Sequence, residues 1–205
     1  MELSKAGKKF SKEWVFRNLS TTLNSSQPTA ILGSNGSGKS TLITSILGFQ
    51  TLTEGELKVF KTQIPVAIED VYKLAAFAAP YLLLYEDFTL YETIQFHVKL
   101  KPFFSEISID EEIKEANLWE SRHKPLKKFS SGMKQRVKLM LAIFSDTPIL
   151  LLDEPTANLD KVGVKWFQKK LEAWADDRVV VVASNYIESE IFMCTNQLLI
   201  EDFKL

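Results

Sequence analysis

Short, wholly apolar runs alternate with amphipathic segments along this chain. "TAIL" (29–32) stops at a glycine-rich turn, and "KSTLITSIL" (39–47) follows it. This predicts a buried strand leading into a helix. "GELKVF" (55–60) predicts a strand with alternating faces, and "LAAFAA" (74–79) a strand stopped by Pro80. From about Tyr91 to Trp119 the period turns helical, with a break near Pro102 and an acidic amphipathic stretch, "ISIDEEIKEANLW". "FSSGMKQRVKLMLAIF" (129–144) predicts a basic, half-apolar helix, and "ILLLD" (149–153) a buried strand. A helix over about Lys161–Ala175 carries Phe167, Leu171 and Trp174 on one face. "RVVVVAS" (178–184) and "NQLLIED" (196–202) supply two last strands. Strand–helix alternation with continuous Val/Leu runs implies an α/β fold: a mostly parallel sheet covered on both faces, interrupted by a helical insert.

Composition narrows this little. The 205 residues suffice for one sizeable domain, with 45% apolar and 25% charged residues marking it as globular. With 25 basic and 26 acidic side chains, no net field points to nucleic acid or an anionic membrane. Cys194 stands alone, which excludes an internal disulfide and fits a reducing compartment. The start, "MELSKAGKKF", has no apolar run behind its lysines, so no secretion signal is expected. The longest apolar stretch, 74–85, is too short to span a bilayer. His97 and His123 fall in the helical stretch without metal-ligand spacing and read as solvated side chains.

The candidate chemistry begins at "GSNGSGKST". Gly33, Gly36, Gly38, Lys39 and Ser40 match G-x-x-x-x-G-K-[ST], with Gly36 inside the loop, between a strand and a helix. Backbone N–H groups across Gly33, Ser34, Asn35, Gly36, Ser37, Gly38 and Thr41 would wrap phosphates at the positive end of that helix. Lys39 would reach the β- and γ-phosphates and Ser40 would ligate Mg²⁺. "ILLLDE" places two carboxylates at the end of a buried strand: Asp153 for Mg²⁺ and Glu154 to polarise an attacking water. A second anion site stands at "SSG", where Ser130, Ser131 and Gly132 begin a helix. Ser130 as a plain N-cap explains that start as well.

In order and spacing these segments resemble the nucleotide-binding subunit of an ATP-binding-cassette (ABC) transporter, over nearly the whole chain and with some likeness to small exporter-type cassettes. "GSNGSGKST" is similar to its Walker A loop, "ILLLDE" to Walker B, "SSGMKQR" to the signature and "ANLD" (157–160) to the D-loop. The resemblance implies a P-loop ATPase with an N-terminal antiparallel β part and a helical subdomain at approximately 82–145, within a single domain over 1–205. It implies ATP and Mg²⁺ as cofactors and a second ABC subunit as partner, homo- or heterodimeric. The signature of one subunit would then close over the ATP of the other, with Asn158 and Asp160 at the junction. It also implies a separate integral-membrane permease, a place on the cytoplasmic face of the membrane, and Phe10 as the aromatic stacked on adenine, with Trp14 its competitor.

Three departures predict slow hydrolysis. The signature has Ser131 for a glycine and Met133 for a glutamine; Pro80 stands where the Q-loop glutamine falls; Asn185 stands at the switch histidine. Asn185 can donate to a γ-phosphate but cannot carry a proton. A degenerate partner in a heterodimer and a non-transport ABC protein are the alternatives left open.

Overall fold

A computed structural model describes residues 1–204. In chain order it runs β1 (Glu2–Phe10), β2 (Glu13–Thr22), β3 (Thr29–Leu32), α1 (Lys39–Ile46), β4 (Glu54–Lys61), β5 (Ile64–Val66), α2 (Val71–Leu74) and β6 (Ala75–Ala78). There follow α3 (Leu90–Leu100), α4 (Ile109–Glu115), α5 (Ser131–Ile143), β7 (Ile149–Asp153), α6 (Lys161–Trp174), β8 (Val179–Ser184), α7 (Glu188–Ile191) and β9 (Asn196–Leu199). One sheet is antiparallel, in the order β2-β1-β4-β5; the other has the order β6-β7-β8-β3-β9 and is parallel throughout.

The unbroken apolar runs are explained by what each face of the parallel sheet meets. Leu150, Leu152, Val180 and Val182 pack with Phe144, Phe167 and Leu171 beside α5 and α6. Their neighbours Leu151, Val181 and Ala183 pack the other way, with Ile43 and Ile46 of α1 and Phe16 and Leu19 of β2. Successive strand side chains alternate in direction, so a strand covered on both faces needs an apolar residue at every position. Arg178, buried, donates to the carbonyls of Ile143 and Thr147 at 2.7 and 2.8 Å, closing the C-terminal end of α5. Its burial pushes the guanidinium down to about 10.

The fold agrees with the α/β expectation and corrects details. The run 196–202 is a strand only to Leu199; Ile200–Phe203 forms a 3₁₀ turn. The first two strands escape the period-2 signal because β1 carries register shifts and left-handed residues interrupt both, Lys5 at φ 48° and Asn18 at φ 57°. His97 is not a solvated side chain. It sits half-buried with Nε2 2.8 Å from Ser145 Oγ, and burial pulls the imidazole down to about 4. His123 is exposed, its ring 5.2 Å from that of Tyr91.

Candidate nucleotide site

The site forms where β3 ends and the loop 33–38 turns into α1. Gly38 has φ +110°, and a Cβ there would lie 2.3 Å from Val15 Cγ1, so only glycine fits. A cavity of about 360 Å³ opens above the loop; Phe10, Val15, Asn35, Gly36, Lys39, Ser40, Thr41 and Glu154 are among its walls.

Lys39 is 4% exposed and donates to the carbonyls of Gly33 at 2.9 Å and Ser34 at 3.0 Å. Its ammonium lies 4.0 Å from Glu154 Oε1. These two carbonyl anchors fix the positive charge of Lys39 against the loop. Glu154, at φ 44°, donates its N–H to Ala183 of β8 at 2.9 Å, which sets the carboxylate at the carboxyl end of the sheet.

Asp153 is buried, and Tyr81 Oη donates to its Oδ2 at 3.0 Å. Its Oδ1 is buried without a partner, at a cost of about 1–3 kcal/mol or more for a charged group. A hard cation answers such an oxygen, and Mg²⁺ characteristically takes one or two protein oxygens beside substrate phosphates and water. Asp153 therefore fits Mg²⁺, and Ser40, on the cavity wall, offers a hydroxyl oxygen of the kind such a cation takes. Burial, then the Asp153 charge, push the Tyr81 phenol well above its ordinary value.

Gly33, Ser34 and Ser37, expected in the phosphate cradle, do not line the cavity. Ser34 donates its N–H at 2.9 Å and its hydroxyl at 2.6 Å to Glu201, whose carboxyl these bonds hold below the usual range. Ser37 donates its N–H to Ser34 O at 3.1 Å, and its hydroxyl is buried without a partner. These residues brace the loop from beneath. Phe10 is half exposed on the cavity wall, whereas Trp14 lies outside it with Lys9 and Arg17 over its ring, at 5.2 and 4.6 Å.

The second anion site lies elsewhere. Ser130 caps α5, accepting from the Met133 N–H at 3.2 Å, and Ser131 is exposed beside it. A Cβ on Gly132 would lie 2.7 Å from the Asn158 carbonyl, so the helix start rests directly on the loop after β7. Gln135 donates to Pro155 O at 3.0 Å from the same helix. Asp160 is structurally engaged: it caps α6 through Gly163 N at 2.8 Å and pairs with Arg136 of α5 at 2.5 Å. The Gly163 bond, chiefly, holds its carboxyl below the ordinary range. None of Ser130, Ser131, Gly132 and Asp160 lines the cavity. Asn185 is exposed directly after β8 and does not line it either.

Three contributors escape sequence reasoning. Glu190 and Glu201 join the site's loops from the end of the chain, with no local pattern to mark them. Tyr81 carries a usable signal, since it directly follows the anomalous Pro80.

A family described as ABC transporter matches residues 16–157. This chain belongs to that family, and its fold is that of an ATP-binding cassette. It is 27% identical over 207 residues to the uncharacterized ABC transporter ATP-binding protein YhcH of Bacillus subtilis, covering all of this chain and 68% of that one. It is 29% identical over 184 residues to human ATP-binding cassette sub-family A member 10; the match covers 87% of this chain but 12% of that protein. The chain thus spans a small part of some relatives and most of others. Among solved structures, the dimeric post-hydrolysis state of the cassette MJ0796 bound to ADP and Pi superposes with a TM-score of 0.77. That comparison has 22% identity and covers 98% of this chain and 94% of the other.

Proposed function

We propose that this chain binds Mg-ATP, pairs with a second cassette around the nucleotide, hydrolyses it slowly and energises a separate integral-membrane permease from the cytoplasmic face. The observation that carries the reading is the separation of the two anion sites. Lys39 and Glu154 line one cavity, while Ser130 and the N-terminus of α5 stand outside it. A γ-phosphate held by Lys39 then meets Ser130 from another subunit, identical or different. ADP lacks that phosphate, so hydrolysis removes what holds the pair together.

Within each half-site, Lys39 and the loop N–H groups bind the phosphates and Glu154 takes the proton of the attacking water. Asp153 and Ser40 would hold Mg²⁺, which would neutralise phosphate charge. Loss of one preorganised donor lowers rate by about 10²–10³. Pro80, Ser131, Met133 and Asn185 therefore favour slow turnover, and they also favour the reading of a degenerate partner in a heterodimer.

An exposed surface of the helical insert, taken as 82–145, supports the permease reading. Leu83 is 96% exposed and Tyr85 65%, next to the partly exposed rings of Phe88 and Phe96. Clustered exposed apolar groups mark a docking site. Among the described residues no helix is long and apolar enough to cross a membrane, and translocation falls to the permease.

The test is sedimentation of Glu154→Gln with Mg-ATP, alone and with any cassette that co-purifies. A nucleotide-dependent dimer that Ser130→Ala abolishes supports the proposal. A pairing indifferent to Ser130 overturns it. Turnover of the unmodified protein at rates ordinary for the family would overturn the slow-hydrolysis part.

A further inference from the structure

Tyr81 lies where the chain leaves β6, after a proline that supplies neither an amide side chain nor an N–H donor. The Pro80 carbonyl accepts from Lys138 of α5, so this backbone is pinned at the edge of the helical insert. From there the Tyr81 ring reaches back past Phe77, with ring centroids 6.4 Å apart, and its hydroxyl donates to Asp153 Oδ2 at 3.0 Å.

The bond is selective between the two carboxylate oxygens. Oδ2 is engaged by Tyr81 and Oδ1 is buried without a partner. A single donor on one oxygen fixes the rotation of the carboxylate about its last torsion. The free oxygen then has one direction in which to accept a ligand. The phenol thus touches the buried carboxylate of the cation site and comes from a segment that does not line the nucleotide cavity.

We propose that Tyr81 is the positioning residue of the divalent-cation site: its hydroxyl orients Asp153 for Mg²⁺. This rests on the Mg-ATP reading and extends it to a residue outside the P-loop and the β7 carboxylates. Outer-shell hydrogen-bond partners of metal ligands are typically worth about 10–100-fold in metal affinity.

The experiment uses the full chain with Tyr81→Phe, which deletes the hydroxyl and keeps the ring against Phe77. Mn²⁺ binding is read by electron paramagnetic resonance in the presence of the β–γ imido analogue of ATP. Affinity for the same analogue is measured by calorimetry with Mg²⁺ and with EDTA. The expected result is at least about tenfold weaker Mn²⁺ binding and an altered Mn²⁺ spectrum, with most of the affinity gain on adding Mg²⁺ lost. An unchanged thermal midpoint without ligand shows that Tyr81→Phe is folded. Equal Mn²⁺ affinity and equal spectra in the two proteins overturn the proposal. If the unsubstituted chain gains no affinity from Mg²⁺, the underlying Mg-ATP reading fails instead.

Discussion

Glu190 Oε1 accepts both the N–H of Thr156, at 3.0 Å, and the Thr156 hydroxyl, at 2.7 Å. Its other oxygen accepts from Ser184 Oγ at 2.5 Å, and Ser184 Oγ in turn accepts from Ile187 N at 3.1 Å. One fully buried carboxylate therefore ties the loop after β7, which carries Glu154, to the loop after β8, which carries Asn185. Burial raises its pKa above the usual carboxylate value, against the pull of those three donors.

Glu190→Ala is expected to destabilise the fold by about 2–4 kcal/mol, because Thr156 N–H and two hydroxyls lose their partner inside the protein. Urea unfolding measures this. The same substitution should lower ATP turnover more than it weakens ATP binding, because Lys39 and the P-loop keep their own bonds. Equal losses in both would deny the coupling of the two loops.

Phe10→Ala should raise the ATP dissociation constant on the order of tenfold, in line with about 1–3 kcal/mol for a base stacked on an aromatic ring. Trp14→Ala should leave it nearly unchanged, because Trp14 lies off the cavity wall under Lys9 and Arg17. Fluorescence titration with a labelled nucleotide distinguishes them, and the opposite ranking would assign the adenine to Trp14.

Gly132→Ala adds a methyl group 2.7 Å from a backbone carbonyl that cannot rotate away. The start of α5 and the loop at Asn158 must part. Alanine otherwise favours a helix over glycine by about 1 kcal/mol, so unchanged or raised stability would show that this contact relaxes freely. The expected outcome is a lowered thermal midpoint together with weaker nucleotide-dependent dimerisation.

His97 ties α3 to the chain just after α5, through Ser145, with Lys101 one turn away along the chain. Burial, and then the Lys101 charge, lower its pKa from 6.5 to about 4. The unfolded chain therefore binds the extra proton first as pH falls. Stability that is fully present above about 6.5 is lost between there and about 4, and no further below. His97→Gln should flatten that part of the curve of unfolding free energy against pH. A wild-type-minus-variant difference that does not change over this window would contradict the burial of a neutral ring.

How much is legible in the sequence depends on the range of the interaction. The P-loop declares itself because its pattern is local: Gly38, Lys39 and Ser40 stand side by side at the turn into α1. β7 and β8 show equally well, since a doubly covered strand needs apolar residues throughout. β1 and β2 stay hidden because bulges break their alternation. The burial of His97 is invisible to periodicity, which does not say which residue after α5 stands against α3. Glu201 bonds to Ser34 across 167 residues, a distance over which no spacing rule operates.

Sequence alone determined the α/β class and marked the glycine-rich loop before α1 and the carboxylate pair at the end of β7, since each is written in neighbouring residues whose backbone geometry is set by short-range sterics and hydrogen bonding. Tertiary structure alone decided that Phe10 rather than Trp14 faces the cavity, that Asp160 caps a helix, and that Tyr81 holds one oxygen of Asp153 while leaving the other unpaired. These depend on how separate elements pack, and packing is selected by burial over the whole chain rather than by any one stretch of it.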